Sequence, residues 1–406
     1  MRIFLVIFLV LLSTIIAFNY YPRSIERTNY SNEIDLLAKE LIEDTAIPGL
    51  AIAQIRKGDV DFIGTYGYAD IDSQKPVNEN TLFNVASISK PILGLALLEL
   101  VKQGKLSLDK DINEYLSFPI DNPHVQDEVI TVRHLASHSS GIADYYNTES
   151  YTPNRDPETT LKQHLISLLT TTGEYYNSGK YYLPHLPGEE RHYSNLAAAL
   201  AGQLVEEVSG LTLAEFSKLY VFPRLGMENS SWLLGDLDFQ NIATPYEVEQ
   251  CIPWLFVCAN TEEPELNYLI SKFVNPPREY KRFSAYPHFG NPQYPDGGLR
   301  GSIKELSSFM THLLKNKDVY GEELLSRDLF QEFFALQLEK QVSDSQRFFW
   351  RDREGLTGHM GSDLGVFAAM YFDLNSQSGF IIVMNRGADA KAGFAMQKLA
   401  AALMVQ

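Results

Sequence analysis

Phe83-Asn84-Val85-Ala86-Ser87-Ile88-Ser89-Lys90-Pro91-Ile92-Leu93-Gly94-Leu95-Ala96-Leu97-Leu98 is the stretch on which the reading of this chain turns. Proline is tolerated inside a helix only near its start, where the amide it lacks would have had no partner. Pro91 therefore sets a helix start close to Ser87, and the apolar run that follows reaches toward Gly104. Residues three apart share a helix face. The Lys90 ammonium can thus fold back onto the Ser87 hydroxyl, which sits at the positive end of the helix dipole. A serine hydroxyl is a poor nucleophile until a base takes its proton, and a lysine can be that base when burial or a nearby cation weakens its hold on its own proton. A Ser-x-x-Lys spacing arises about once by chance in a chain of this size, with a helix cap and a solvated lysine as its ordinary meaning. Here the flanking apolar residues would bury Lys90, and a buried lysine needs a reason.

On either side of this helix the periodicity changes. Asn32 to Glu43 reads as a helix, and Gly49 to Ile55 and Val60 to Tyr68 read as strands joined through Lys57-Gly58-Asp59. Near the other end, Gly365 to Phe372 and Gly379 to Met384 read as strands around an Asn375 to Gly379 turn, before a helix from Lys391 to Met404. Helical stretches at Pro91 to Gln103, Val132 to Ser137, Leu161 to Thr171, Asn195 to Ser209 and Lys304 to Leu314 lie between. The simplest assembly is an α/β (α+β) fold. It has a mixed antiparallel sheet built from both chain ends and flanked by helices, with a mostly helical region inserted at about 91–340. Within that region, Asn241 to Gly297 is rich in aromatic residues and proline. It reads as a compact excursion, either a satellite hydrophobic cluster or a wall or lid of the substrate pocket.

The chain has 406 residues with 45% hydrophobic and 21% charged composition, which suits a globular domain. Its net charge of −17 is spread along the chain, which argues against nucleic acid or an anionic membrane face as the main partner. No Walker-type phosphate loop, zinc-type cysteine pair or internal repeat occurs. Arg2 precedes an apolar run from Ile3 to Phe18, so residues 1–18 read as an export signal, cleaved or kept as a single anchor, and residues 19–31 as a tether. The expected location is therefore periplasmic or extracellular, with membrane contact only through this segment. Cys251 and Cys258, with six residues between them, either close a small loop or stay as two buried thiols.

Further motifs follow the nucleophile helix in a fixed order. Gly104-Lys105-Leu106-Ser107-Leu108-Asp109 and Tyr115-Leu116 extend it, and Thr131-Val132-Arg133-His134-Leu135-Ala136-Ser137-His138-Ser139-Ser140-Gly141-Ile142 comes next. Pro187-Gly188-Glu189 with Tyr193-Ser194-Asn195, then Gly297-Gly298-Leu299, then His359-Met360-Gly361 complete the series. Together they resemble the serine β-lactamase-related family of class C β-lactamases, DD-peptidases and related serine esterases, over about Ala46 to Arg386. The resemblance implies a serine hydrolase domain over residues 32–406 with a β-lactamase/transpeptidase-like fold and neither cofactor nor metal ion. Ser87 would be the nucleophile, with Lys90 and Tyr193 handling its proton. Asn195 would hold Lys90 or a substrate carbonyl, and the backbone amides of Ser87 and Ser362 would be the oxyanion donors. His359 would line the opposite wall and donate a hydrogen bond to an incoming carboxylate or carbonyl. Gly361 would let substrate approach the strand closely.

His134 and His138, four apart, have metal-ligand spacing but lack the glutamate of a His-Glu-x-x-His pattern, so a structural role is expected. No Gly-x-Ser-x-Gly elbow offers His359 a different serine. The family's third element generally carries lysine followed by threonine or serine, where this chain has His359 and Met360. A thioether cannot supply the missing hydrogen bond, and a neutral imidazole carries less charge than an ammonium. The expected substrates are small-molecule esters or amides cleaved through an acyl-enzyme. Alternatives are a D-amino acid peptidase or DD-carboxypeptidase acting on cell-wall peptides, a weak β-lactamase, and a catalytically silent binding protein of the same fold. The presence of Ser87, Lys90 and Tyr193 together argues against the last. The sequence leaves the oligomeric state open.

Overall fold

The computed structural model describes residues 30–126, 129–252, 257–259 and 281–404 of the chain. The expected export segment, 1–18, and nearly all of the expected tether lie outside the described residues, although Tyr30 and Ser31 already belong to the first helix, Tyr30–Thr45. Near the start run strands β1 (Gly49–Arg56), β2 (Asp59–Asp70), β3 (Lys75–Pro76) and β4 (Leu82–Asn84). In the middle lie β5 (Thr152–Pro153), β6 (Tyr246–Ile252), β7 (Val257–Ala259), β8 (Lys281–Ala285), β9 (Phe289–Gly290) and β10 (Arg300–Ser302). At the end come β11 (Arg351–Arg353), β12 (Leu356–Asp363), β13 (Val366–Asp373) and β14 (Ser378–Met384).

The main sheet has the order β11-β12-β13-β14-β1-β2-β3, so both chain ends do build it. Its pairings are antiparallel, as expected. In β1 the alternation of faces decides the packing. Ala51, Ala53 and Ile55 join the large core beneath the sheet with Met370, Phe372, Ile381 and Val383. Leu50 and Ile52 join Phe367, Ala369, Phe380, Ile382 and Met384 on the other face. That second face is covered by helices Tyr30–Thr45 and Ala390–Met404, which supply Ile34, Ala38, Leu41, Ala392, Ala395, Met396 and Leu399. A strand buried on both faces reads as a nearly unbroken apolar run, as Gly49 to Ala53 does.

The helical layer beneath the sheet centres on Ser89–Lys102, which crosses Asn195–Ser209. The latter presents Ala197, Ala198, Ala199 and Ala201, all buried, and small side chains let two helix backbones come close. Strand β12 is hidden in the sequence. Leu356-Thr357-Gly358-His359-Met360-Gly361-Ser362-Asp363 carries two glycines and few β-formers, and its pairing with β13 is what makes it a strand. The excursion at 241–297 is no plain loop, since β6, β7 and β8 form a three-stranded sheet. Cys251 and Cys258 stand opposite each other in the β6–β7 register, and their pairing lies outside the described side chains.

The two chain ends are tied by a buried cation. Arg386 is fully buried, reaches the carbonyls of Thr45 and Ala46, and lies 2.5 Å from the Asp389 carboxylate. Removing one partner of such a pair leaves the other charge buried and uncompensated. Arg386→Ala is expected to cost about 3 kcal/mol or more of unfolding free energy. Urea titration of wild type and variant measures it, and an unchanged midpoint would contradict this role.

Candidate active site

Ser87, the expected nucleophile, sits on a strained turn. Ala86 to Ile88 form one 3₁₀ turn that runs into the Ser89–Lys102 helix, with Pro91 in its first turn. Ala86 has φ of +46°, the left-handed region that an alanine avoids by roughly 1–2 kcal/mol. The surroundings hold it there. Ala86 N donates to Asn84 Oδ1 at 2.7 Å, and Ser89 Oγ donates to Ala86 O at 2.6 Å while accepting from Leu299 N at 3.1 Å. Val85 N donates to Leu299 O at 3.0 Å, so the Gly297-Gly298-Leu299 corner braces the turn from outside the helix. A side chain on Gly298 would come within 2.7 Å of the Tyr294 carbonyl, which explains a glycine there. Nothing in the local pattern of the sequence announces the strain at Ala86.

Lys90 is completely buried and spends its donors on three acceptors. Nζ lies 3.0 Å from Ser87 Oγ, 2.8 Å from Asn195 Oδ1 and 2.5 Å from Asp296 O. The last two are amide oxygens, which only accept. They fix two of the three Nζ directions and leave the third aimed at Ser87 Oγ, as an N–H when Lys90 is charged or as a lone pair when it is neutral. Asp296 itself is buried, and that burial pushes its carboxyl up to about 7 against the opposing pull of Lys90 and of the hydrogen bond from Gln293.

Tyr193 approaches the same oxygen from the other side, its hydroxyl 2.9 Å from Ser87 Oγ. Its ring lies against His138, with centroids 4.4 Å apart, and the Lys90 ammonium is 5.1 Å from the ring centre. His138 is buried in a left-handed conformation, φ +55°, and its Nδ1 accepts from Ser194 N at 3.3 Å. It is a platform for Tyr193, a specific form of the structural role expected of it. His134, by contrast, is spent on a helix cap, where its Nδ1 accepts from Thr131 N. The two rings serve separate places.

Strand β12 forms the facing wall. Strand β11 pairs it only as far as Gly358, so from His359 onward that edge is free of β11 and turns toward Ser87. A side chain on Gly361 would lie 2.4 Å from Val85 O and 3.1 Å from Ser87 N. The glycine is therefore required by the close seating of the strand on the Val85–Ser87 turn, where sequence reasoning assigns it to substrate approach. Gly361 and Ser362 both line the cleft of about 500 Å³ that holds Ser87, Tyr193 and Asn195.

His359 differs from expectation in its hydrogen bonding. Its Nδ1 lies 2.6 Å from Met360 O, and a carbonyl can only accept, so Nδ1 carries the proton. The neutral ring then offers a lone pair at Nε2, an acceptor in place of the expected donor. Burial first, then the charges of Lys90, Arg191 and Arg351, lower its pKa to about 3. His134, His138 and His164 are also held down chiefly by burial, as is His288, which falls to about 4. Above the unfolded value near 6.5 neither state of such a histidine is charged, and stability does not depend on it. As pH falls from about 6.5 toward 3, the unfolded chain takes up protons that the folded chain refuses, and stability is lost. Each such group contributes a slope of up to about 1.4 kcal/mol per pH unit. His359→Gln is expected to flatten the acid limb of the stability curve between roughly pH 6 and 4. Denaturant midpoints measured across that range check it, and an identical slope in the variant would count against the assignment.

The cleft is polarised. On one side lie Asp144, Tyr146, Tyr151, Asp296 and Asp363, and on the other Arg191, Arg351 and Arg353 with His359 and with Asp352, which is paired to Arg347. Tyr146 and Tyr151 donate to Asp363 at 2.9 and 3.3 Å, and Tyr151 stacks on Phe289 at 4.8 Å. Burial raises the pKa of the Asp363 carboxyl, against hydrogen bonds from Leu364 N, Tyr146 and Tyr151 and the charge of Arg300. Of the stretch Asn241 to Gly297, Asp296 and Gly297 line the cleft. Among the described residues, 241–290 line no part of this cleft, and their contribution is Phe289 behind Tyr151. Trp254, Phe256, Tyr268, Phe273 and Tyr280 lie outside the described residues. The true wall, Tyr146, Tyr151 and Asp363, has no motif by which a sequence could declare it. Met360 lines both halves of the cleft, with Arg353 Nη1 3.3 Å from its sulfur.

Comparison with known proteins bears on the family and the fold. Protein flp of Staphylococcus aureus (strain MRSA252) is 26% identical over 332 residues, covering 74% of this chain and 63% of that protein. The chain thus spans less than two thirds of the length of such relatives. Esterase EstB of Burkholderia gladioli is 27% identical over 233 residues, covering 57% of this chain and 58% of that protein. A penicillin-binding protein from Bacillus halodurans shares the fold with a TM-score of 0.65 at 22% identity, over 89% of this chain and 98% of that one. The D-amino acid amidase of Ochrobactrum anthropi SV3 does so with a TM-score of 0.64 at 18% identity, over 92% of this chain and 98% of that one. The model of the Beta-lactamase family matches residues 34–403, and the chain belongs to that family, within the serine hydrolase superfamily.

Proposed function

We propose that this chain is a serine hydrolase that forms an acyl-enzyme on Ser87 with an ester or amide substrate and acts chiefly as an esterase. The observation that carries the reading is the convergence of Lys90 Nζ and Tyr193 Oη on Ser87 Oγ, at 3.0 and 2.9 Å. In the proposed cycle Ser87 Oγ attacks the substrate carbonyl as its proton passes to the Lys90–Tyr193 pair. The amides of Ser87 and Ser362 hold the oxyanion, and the leaving alcohol or amine departs with the proton from Tyr193. Water then enters, loses a proton to the same pair and attacks the acyl carbonyl, which releases the acid and restores Ser87.

A β-lactam carboxylate would meet the His359 Nε2 lone pair and the Met360 thioether where the resemblance calls for an ammonium and a hydroxyl. Purified protein is therefore expected to hydrolyse a chromogenic short-chain ester with a kcat/KM at least about 100-fold above that for a chromogenic cephalosporin. Rapid cephalosporin turnover would refute this. A second reading, hydrolysis of D-amino acid peptides or amides, is favoured by Asp144 and Asp363 beside Ser87, which suit a substrate ammonium group. Release of D-alanine from a synthetic muropeptide separates it from the esterase reading. Export is part of the proposal and rests on the apolar run Ile3 to Phe18.

A further inference from the structure

The loop that delivers Tyr193 carries a second group of chemically active side chains outside the cleft. His185, Glu190 and His192 offer ligand-capable atoms that all lie within 4.8 Å of one another. The imidazole rings of His185 and His192 stack with centroids 5.1 Å apart. His192 Nε2 is 2.9 Å from Glu190 Oε2, a hydrogen bond whose proton a bound ion would replace.

His185 gives an independent sign. It is only 9% exposed, and its Nδ1 lies 3.2 Å from Leu186 O. The carbonyl can only accept, so Nδ1 carries the proton and Nε2 the lone pair. That Nε2 is buried and has no hydrogen-bond partner. A buried acceptor without a donor is costly, and an imidazole whose far N–H is given to a backbone carbonyl is prepared as a metal ligand.

We propose that His185 Nε2, His192 and the Glu190 carboxylate bind one divalent ion of the zinc class. Two imidazoles with one carboxylate suit zinc, cobalt or nickel and do not suit magnesium or calcium, which prefer oxygen ligands. The third ligand closes on the other two by a small side-chain rotation of His185, and water completes the shell. The site braces a catalytic support. Leu183 N, Gly188 N and His192 N donate to Gly141 O, Ser139 O and His138 O, each at 2.8 Å, so the loop already lies along the turn that holds the His138 ring under Tyr193. An ion joining residues 185, 190 and 192 would fasten the free part of that loop next to Tyr193.

The test uses the purified chain, stripped with a chelator and dialysed. Cobalt(II) titration is expected to give a visible ligand-field band that saturates near about one equivalent per chain. Zinc is expected to displace the cobalt and to raise the thermal midpoint. Glu190 and His192 are exposed, so Glu190→Gln and His192→Ala keep the fold. Each is expected to weaken binding at least about tenfold, and His185→Gln to abolish the band. Absence of a saturable band in wild type, or binding of undiminished affinity in His192→Ala, would overturn the site. Neither readout depends on hydrolytic activity.

Discussion

Ser87→Ala is expected to abolish covalent labelling by a serine-reactive phosphonate and to lower kcat/KM for a chromogenic ester by about 10⁴-fold or more, with an unfolding midpoint close to that of wild type. The reasoning is geometric. Among the described residues, Ser87 Oγ is the one hydroxyl contacted by both Lys90 Nζ and Tyr193 Oη. The backbone of the turn is held by Asn84, Ser89 and Leu299, none of which needs the Ser87 side chain. Removing the oxygen therefore removes the chemistry and leaves the support. Labelling that persists at the wild-type rate would move the nucleophile elsewhere and sink the proposed function.

Lys90→Met should be nearly as damaging to activity, lowering kcat/KM by about 10³-fold or more, while changing stability far less. Methionine keeps much of the volume of the stem, so no large cavity opens. The balance of stability then has two opposed parts. Loss of a fully buried cation removes a desolvation cost, and Asn195 Oδ1 and Asp296 O lose their donor, a cost of about 1–3 kcal/mol for each. The two largely offset. A large kinetic effect with a small shift in denaturant midpoint is the expected signature. A variant that folds normally and retains more than a tenth of the wild-type rate would remove Lys90 from the chemistry. The two substitutions also differ in kind: phosphonate labelling is absent in the first and only slowed in the second.

Much of this site is legible in the sequence. Pro91 limits where its helix can begin, and the apolar residues around Lys90 make its burial a necessity, so local rules alone pair the serine with the lysine. Tyr193, Asn195 and His359 are recoverable only through motif order, because a tyrosine or histidine taken by itself has many ordinary uses. His138 is visible in the sequence, but its task is not. Its spacing from His134 raises a metal question, whereas its place under the Tyr193 ring depends on a tertiary approach of two segments that no local rule links.

The metal question arises more fittingly at His185, Glu190 and His192. In sequence those residues flank the Pro187-Gly188-Glu189 motif and match no metal-binding pattern. Only the fold turns them toward one another and leaves one imidazole nitrogen buried without a donor.

The sequence by itself determined the helix that follows Ser87, the apolar strands near both chain ends and the identity of the groups around Ser87. Periodicity, proline placement and residue chemistry act over a few neighbouring positions and survive without the fold. Tertiary structure alone decided the left-handed strain at Ala86, the seating of Gly361 on the nucleophile turn, the His359 tautomer and the acidic wall of Tyr146, Tyr151 and Asp363. The physical reason is distance along the chain. Lys90 finds its acceptors 105 and 206 residues away, and Tyr146 finds Asp363 after 217. Partners so remote are set by how sheet and helices pack, which no short stretch of the sequence contains.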